Sequence, residues 1–326
     1  MPALEAIAAR PAIPLTPARI ERAEAELLEL PQAECPLRHI FAPGLVVREV
    51  TMPAGALVIG HTHREADLNI MLTGRLTLLQ QDGTLKELRA PQTFIGAPGR
   101  KIAYIHETVI WQNIWPMTVK SGKRESGKAG NQIEKAESGK AETEWMTLPN
   151  DVEAIEDHYL DRSPTWLADR AQRLALDRLA RQPDRESFEA FLNFHELPAE
   201  DVRRISECVS DQVPLWNGEW KFMIGDSAIE GKGVLATANI AAGETIAPMR
   251  ISGMRTPPGR YCNHAKDPNA EVRPGVGTVD LVLVARRDIR GCQGGQPGEE
   301  ITVDYESVLA VNNALAVSRS KMKGLL

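Results

Sequence analysis

A chain of 326 residues is too long for one ordinary core and suits two or three domains. With 43% hydrophobic and 25% charged residues it reads as globular, and a net charge of −6 argues against broad, non-specific nucleic-acid binding. Cys35, Cys208, Cys262 and Cys292 lie far apart with no CxxC pair, so neither a disulfide framework nor a zinc cluster is expected and a reducing cytoplasm is the natural setting.

The N-terminus lacks the basic start and apolar run of a signal peptide, and no stretch approaches the apolar length of a membrane span. Residues 18–30, ARIERAEAELLEL, read as a short helix. From Ala42 to about Met117 short apolar runs alternate with turn signals at PAG, TG, DG and APG. Many short strands at close spacing predict an antiparallel sandwich or barrel.

Within that unit, GHTHREADLNIMLTG (60–74) and GAPGRKIAYIHETVIWQN (96–113) resemble the paired motifs of the cupin family. Histidines on alternate strand positions point the same way, so His61 and His63 are candidates for one metal ion. By the resemblance, His106 from a later strand completes the site, with Glu65 or Asp67 as carboxylate ligand. The alternative is a jelly roll with histidines near its mouth and no metal. Residues 1–118 are taken as this cupin-like antiparallel β-barrel, and by analogy with such barrels a homodimer is expected. The unit is also similar to small β modules of tailed-phage proteins, which suggests a phage or prophage origin, with the host cytoplasm as location.

Residues 119–144, VKSGKRESGKAGNQIEKAESGKAETE, hold almost no large apolar side chains and repeat ESGKA at 125–129 and 137–141. Such a segment cannot bury enough surface to order itself, so 119–145 is expected to be a flexible linker. Lys123, Lys128, Lys135 and Lys140 on it are candidate sites of self-modification. Helical texture follows over 151–159, 164–181, 185–195 and about 199–209, giving a connector over 146–212. Its longest helix carries an apolar stripe at Leu167, Ala171, Leu174, Ala175 and Leu179, expected to face a core.

Past Val213 the pattern turns β-like, and three segments stand out. EGKGVLATANIAAGETI (230–246) places Gly231 and Gly233 before a strand. RYCNHAKDPNAEV (260–272) joins an Asn-His pair to a DPN turn. GEEITVDY (298–305) runs a strand into Asp304-Tyr305. Singly each has a plain reading: turn glycines, a loop with Asx turns, a strand-end tyrosine.

In this order they resemble the SET family, whose members are protein-lysine methyltransferases. The resemblance covers residues 218–306. It implies a β-rich SET fold over 213–312, followed by a tail at 313–326, and an α+β multidomain chain overall. It further implies a knot-like crossing of the NH segment and the DY strand, with S-adenosyl-L-methionine and a target lysine entering from opposite faces. Carried over by motif, Lys232 and Gly233 line the cofactor through backbone groups. Tyr261, Asn263 and His264 hold its ends, and Tyr305 is the catalytic tyrosine. No metal is needed for that chemistry.

The sequence departs from the family at Ala265, where serine is usual, and in the longer turn GCQGGQ. Only 11 residues separate ETIAP from RYCNH, and no cysteine cluster follows Tyr305. The cofactor half of the site looks retained, while the lysine groove awaits completion by the connector or the N-terminal domain. The resemblance therefore implies methyl transfer to a protein lysine. The alternatives are a non-catalytic phage assembly protein and a metal-dependent cupin enzyme.

Overall fold

A computed structural model describes residues 14–120, 145–147, 152–215 and 218–323. The four linker lysines lie outside the described residues. Helix α1 (Pro17–Leu28) opens with proline in its first turn, where the missing N–H costs nothing.

The N-terminal strands are β1 (Leu37–Ala42), β2 (Leu45–Met52), β3 (Leu57–Ile59), β4 (Thr62–His63), β5 (Asp67–Leu79), β6 (Leu85–Arg89), β7 (Gln92–Gly96) and β8 (Ile102–Pro116). Long β5 and β8 form the spine. β8 pairs with β2, β3 and β5, and β5 pairs with β6 and β7, all antiparallel. Alternation sets the core: Ile105, Val109, Trp111 and Trp115 of β8 are buried on one face. They pack with Met52, Met71 and Leu76 at one end and with Phe41 and Val46 at the other. The cupin-like β-rich unit is therefore built as its alternating pattern predicts.

Strands β9 (Thr118–Lys120) and β10 (Trp145–Thr147) pair across the segment expected to be a linker. Helices α2 (Val152–Tyr159), α3 (Pro164–Ala180), α4 (Gln182–Phe194) and α5 (Ala199–Glu207) follow, with the two-residue β11 (Leu160–Asp161) pairing to β4. Ser163 caps α3 by accepting the Trp166 N–H. The expected apolar stripe of α3 is corrected. Leu167 is 47% exposed and Leu179 76%, while Trp166 is buried. The helix instead docks through its polar side, by Arg170–Glu153 (2.9 Å) and by Gln296 donating to Asp169 (3.0 Å).

Strand β12 (Gly218–Trp220) extends the N-terminal sheet beyond β1, in the register His39↔Trp220 and Phe41↔Gly218. One residue, Lys221, then leads into the C-terminal sheets. One holds β13 (Phe222–Asp226), β14 (Lys232–Ala236), β20 (Glu300–Val303) and β17 (Asn263–His264). The other holds β15 (Thr245–Ile251), β16 (Met254–Arg255), β18 (Ala270–Pro274) and β19 (Val279–Ala285). Val234, Ile246, Leu281, Leu283, Ile301 and Val303 fill the core between them. Short helix α6 (Pro257–Tyr261) precedes β17, and α7 (Tyr305–Lys323) follows β20. Met223 and Leu235 also join Phe41, Trp115, Ile155 and Tyr159 in one cluster that ties barrel, connector and C-terminal unit together.

Candidate active site

The β13–β14 hairpin reverses through Ser227–Gly231. Ser227 Oγ accepts from the N–H groups of Ile229 (2.8 Å) and Glu230 (3.1 Å), a serine turn that brings its own hydroxyl inward. That hydroxyl donates to the Glu300 carboxylate at 2.8 Å. The Ala228 N–H donates to the other Glu300 oxygen at 3.2 Å. Burial pushes the Glu300 carboxyl above its ordinary value, against the opposing pull of hydrogen bonds from Asn263, Ser227 and Ala228.

Asn263 reaches the same point from β17. Its amide nitrogen lies 2.9 Å from Glu300 Oε1, 2.9 Å from Ser227 Oγ, and 3.0 Å from both the Glu230 and Lys232 carbonyls. A Cβ at Gly233 would collide with the Glu300 carboxylate, so any side chain there would force that carboxylate to move. Strand β17 runs parallel to β20, pairing Asn263 with Thr302 and His264 with Val303. Asn269 of the DPN turn locks the crossing: it donates to the Glu300 carbonyl (2.8 Å) and accepts the Thr302 N–H (2.8 Å). Ala265 is fully buried, with its N–H on the Val303 carbonyl (3.1 Å).

His264 turns its ring toward the end of β20. Nδ1 accepts the Tyr305 N–H at 3.2 Å, which leaves Nε2–H to donate to Ser187 Oγ at 2.9 Å. Burial holds this histidine below its ordinary value, although Asp304, 3.9 Å away, pulls the other way. The Tyr305 hydroxyl donates to the Cys262 carbonyl at 3.1 Å, and burial pushes the phenol up. Tyr261 precedes this carbonyl by one residue, with the Arg260 guanidinium over its ring at 4.8 Å.

The structure thus brings Gly233, Asn263, His264 and Tyr305, with the Lys232 backbone, to one crossing. The Lys232 ammonium points away, paired to Asp226 (3.0 Å) and Glu153 (3.3 Å). The side chains of Asn263 and His264 are spent on protein partners, which leaves their backbone as what they offer a ligand.

Sequence reasoning did not single out three groups. Glu300 lies within GEE, and its burial, where Glu299 is only half-buried, emerges from the structure. Ser227 stands just outside the glycine motif. Helix α4 carries no sequence sign of its place here, yet its Phe188 and Phe191 stand edge-on to Tyr305 at 6.1 and 5.3 Å, and Ser187 holds His264.

A cleft of about 350 Å³ lies beside Glu300, between α3 and the hairpin. Its arginines are already matched, Arg170 to Glu153, Arg173 to Asp169 and Arg181 to Asp184.

The metal site expected in the barrel is corrected. His61 and His63 line the interior cavity with Leu76, Leu78 and Ala103. His106 sits on the other face, with Thr77 Oγ1 at 2.8 Å and Tyr104 edge-on at 5.0 Å. Tyr104 and His106 of β8 share one face while Ala103 and Ile105 face in, and β5 slips register between Met71 and Leu76 opposite them. Of the candidate carboxylates, Glu65 is exposed. Asp67 lies 3.1 Å from His63; burial opposes its ionisation, but the hydrogen bond and charge of His63, with Asn69 and Lys101, together keep its pKa low. Among the described residues no three His, Cys, Asp or Glu side chains converge on a metal. Also among the described residues, no helix is long and apolar enough to cross a membrane.

Solved structures similar to this chain include a double-stranded β-helix protein from Klebsiella pneumoniae. It is 18% identical, covers 28% of this chain and 81% of its own, and has a TM-score of 0.23. An RmlC-like cupin from Shewanella frigidimarina is 22% identical, covers 24% and 73%, and has a TM-score of 0.21. No curated protein matches the chain. The family model described as SET domain matches residues 250–306, the span that carries Asn263, His264, Glu300 and Tyr305.

Proposed function

We propose that the C-terminal unit transfers a methyl group from S-adenosylmethionine to a protein lysine, with Tyr305 at the point of transfer. The supporting observation is convergence: three motifs separated by tens of residues meet where Asn263 touches the Lys232 carbonyl and His264 receives the Tyr305 N–H. The residues suit such a donor. At Gly231, with φ of +53°, no atom lies within 4 Å of where a Cβ would stand, so that side of the turn is open space. Lys232 and Gly233 would hold the cofactor by backbone, with Tyr261, Asn263 and His264 around it. When bound, S-adenosylmethionine supplies an electrophilic methyl on a sulfonium.

The remaining work belongs to the chain. Lysine has an ordinary pKa near 10.4, so the amine must shed a proton before it can attack. Apolar walls disfavour the ammonium form; here Phe188 and Phe191 supply them beside Tyr305. A phenol held protonated by burial keeps its oxygen as a neutral acceptor for an amine N–H, and its own proton is anchored on the Cys262 carbonyl. Fixing the amine in line is the larger part, since orientation alone can supply about 7–11 kcal/mol. Connector helix α4 covers this site through Ser187, Phe188 and Phe191.

The test is calorimetry with S-adenosylmethionine, then incubation of the full chain with the methyl-labelled cofactor and a cell lysate. Binding with a labelled band supports the reading. No binding heat and no label, on bands of the lysate or on the chain itself, would leave a recognition protein without catalysis as the better description.

A further inference from the structure

The N-terminal barrel encloses a cavity of about 230 Å³ that the methyl-transfer reading does not use. Its body is apolar, with Val58, Leu76, Leu78 and Trp111 among the lining residues. Its closure is shared: Leu27 and Leu28 of α1, Trp166 of α3 and the Gly294–Gly295 turn of the C-terminal unit complete the wall.

Three polar groups in this wall lack a matching protein partner. Trp166 Nε1 and His61 Nδ1 are cut off from solvent without a hydrogen-bond partner among the described residues. They belong to rings stacked edge-to-face at 5.0 Å. Lys101 is half-buried, forms no ion pair within 4 Å among the described residues, and only grazes the Ala97 carbonyl at 3.5 Å. The acid whose charge it feels is Asp67, and that carboxylate is already held by His63 (3.1 Å) and Asn113 (2.8 Å).

An indole N–H and an ammonium only donate, so what is missing must accept. Buried donors left unmatched are costly, and a native fold keeps few without a reason. At His61 the positive potential of Arg48, Arg162 and Arg100 is opposed by Glu156 but exceeds it, which favours an anion over a neutral acceptor. An apolar cavity of 150 Å³ holds benzene, so this one has room for about nine or ten heavy atoms.

We propose that the barrel cavity binds a small organic acid with an apolar body. The carboxylate accepts from the Trp166 indole and His61, with Lys101 as counter-charge, and the body lies against Val58 and Leu76. The site is independent of methyl transfer.

Calorimetric titration of the full chain with phenylacetate, and with phenylacetamide as the uncharged isostere, tests it. Phenylacetate should bind, and the amide about tenfold more weakly or more. Trp166→Phe keeps the packing but removes the donor and should weaken phenylacetate about three- to tenfold, the range of one hydrogen bond. Lys101→Met should weaken the acid and leave the amide unchanged. Val58→Phe, which fills the apolar end, should abolish binding with the melting transition retained. Equal affinity for acid and amide, no heat with millimolar phenylacetate, or undiminished binding to Val58→Phe would each overturn the proposal.

Discussion

Glu300 and Asn263 meet at 2.9 Å in a buried pocket with Ser227 as the third member. A carboxyl from one strand, an amide from a second and a hydroxyl from a hairpin turn thereby become one hydrogen-bonded unit. Such a unit is stiff when complete and expensive when broken.

The first consequence concerns Gly233. In Gly233→Ala the new methyl meets the Glu300 carboxylate, and Ser227 Cβ stands at 3.2 Å. The carboxylate cannot swing aside without releasing Asn263. Overpacking of this kind should cost about 1–3 kcal/mol, read by chemical denaturation, and S-adenosylmethionine binding should weaken with it. A variant as stable as the parent would show that the knot yields freely.

Glu300 also predicts a pH signature. Its carboxyl holds a proton more tightly in the folded chain than the ordinary value of 4.5. The stability linked to it is therefore full below pH 4.5 and is lost as the pH rises through the folded value. Glu300→Gln removes that titration but sets an NH₂ against the Ala228 N–H or its fellow donors. Denaturation from pH 4.5 to neutrality should show a flatter slope for Glu300→Gln than for the parent, on a curve lower at pH 4.5 by about 1–3 kcal/mol.

Tyr305→Phe isolates the hydroxyl. Its loss removes one hydrogen bond to the Cys262 carbonyl, worth about 1 kcal/mol, and leaves the ring packed on Phe188 and Phe191. Methyl transfer should fall by orders of magnitude while the melting temperature shifts by only a few degrees. Equal loss of both would make the tyrosine structural.

Phe188 ties α4 to Ile229 of the hairpin and to Tyr305. Phe188→Ala should destabilise the chain by about 3–5 kcal/mol, the usual cost of emptying a buried aromatic site. Hydrogen exchange should show the new opening in 182–194 and 227–231 together, since the cavity lies between them.

Histidine NMR checks the barrel interior. Burial, reinforced by Arg48, lowers His61 from 6.5 to about 3. The stability tied to its neutral ring is present above 6.5 and is lost as the pH falls toward 3. In mildly acidic buffer, well below 6.5, long-range nitrogen spectra should still report a neutral ring.

The crossing of GKG, NH and DY was legible through the order of the three motifs and the family they resemble, and the structure gives each residue type a local reason: a glycine against a carboxylate, an amide with several acceptors, a tyrosine at a strand end. His106 was not, because histidine spacing names residue types but not faces. The register slip between Met71 and Leu76 and the parity of β8 decide the face, and both come from pairing with distant strands. Helix α3 misled for a related reason. Its leucines make a good stripe, yet the partner surfaces offer Glu153 and Gln296, so the arginine side is the one that docks. Ser187 meets His264 across 77 residues, a distance no local pattern spans.

Strand β12 completes the barrel sheet, and after the single residue Lys221 the chain is already in β13. A C-terminal fragment cut just ahead of Gly218 would carry β12 away and leave β1 in the other half with a bare row of N–H and C=O groups, the kind of edge that seeks a strand from another molecule. Severed halves should therefore clump or re-pair with each other, so this covalent junction also serves the chain's solubility.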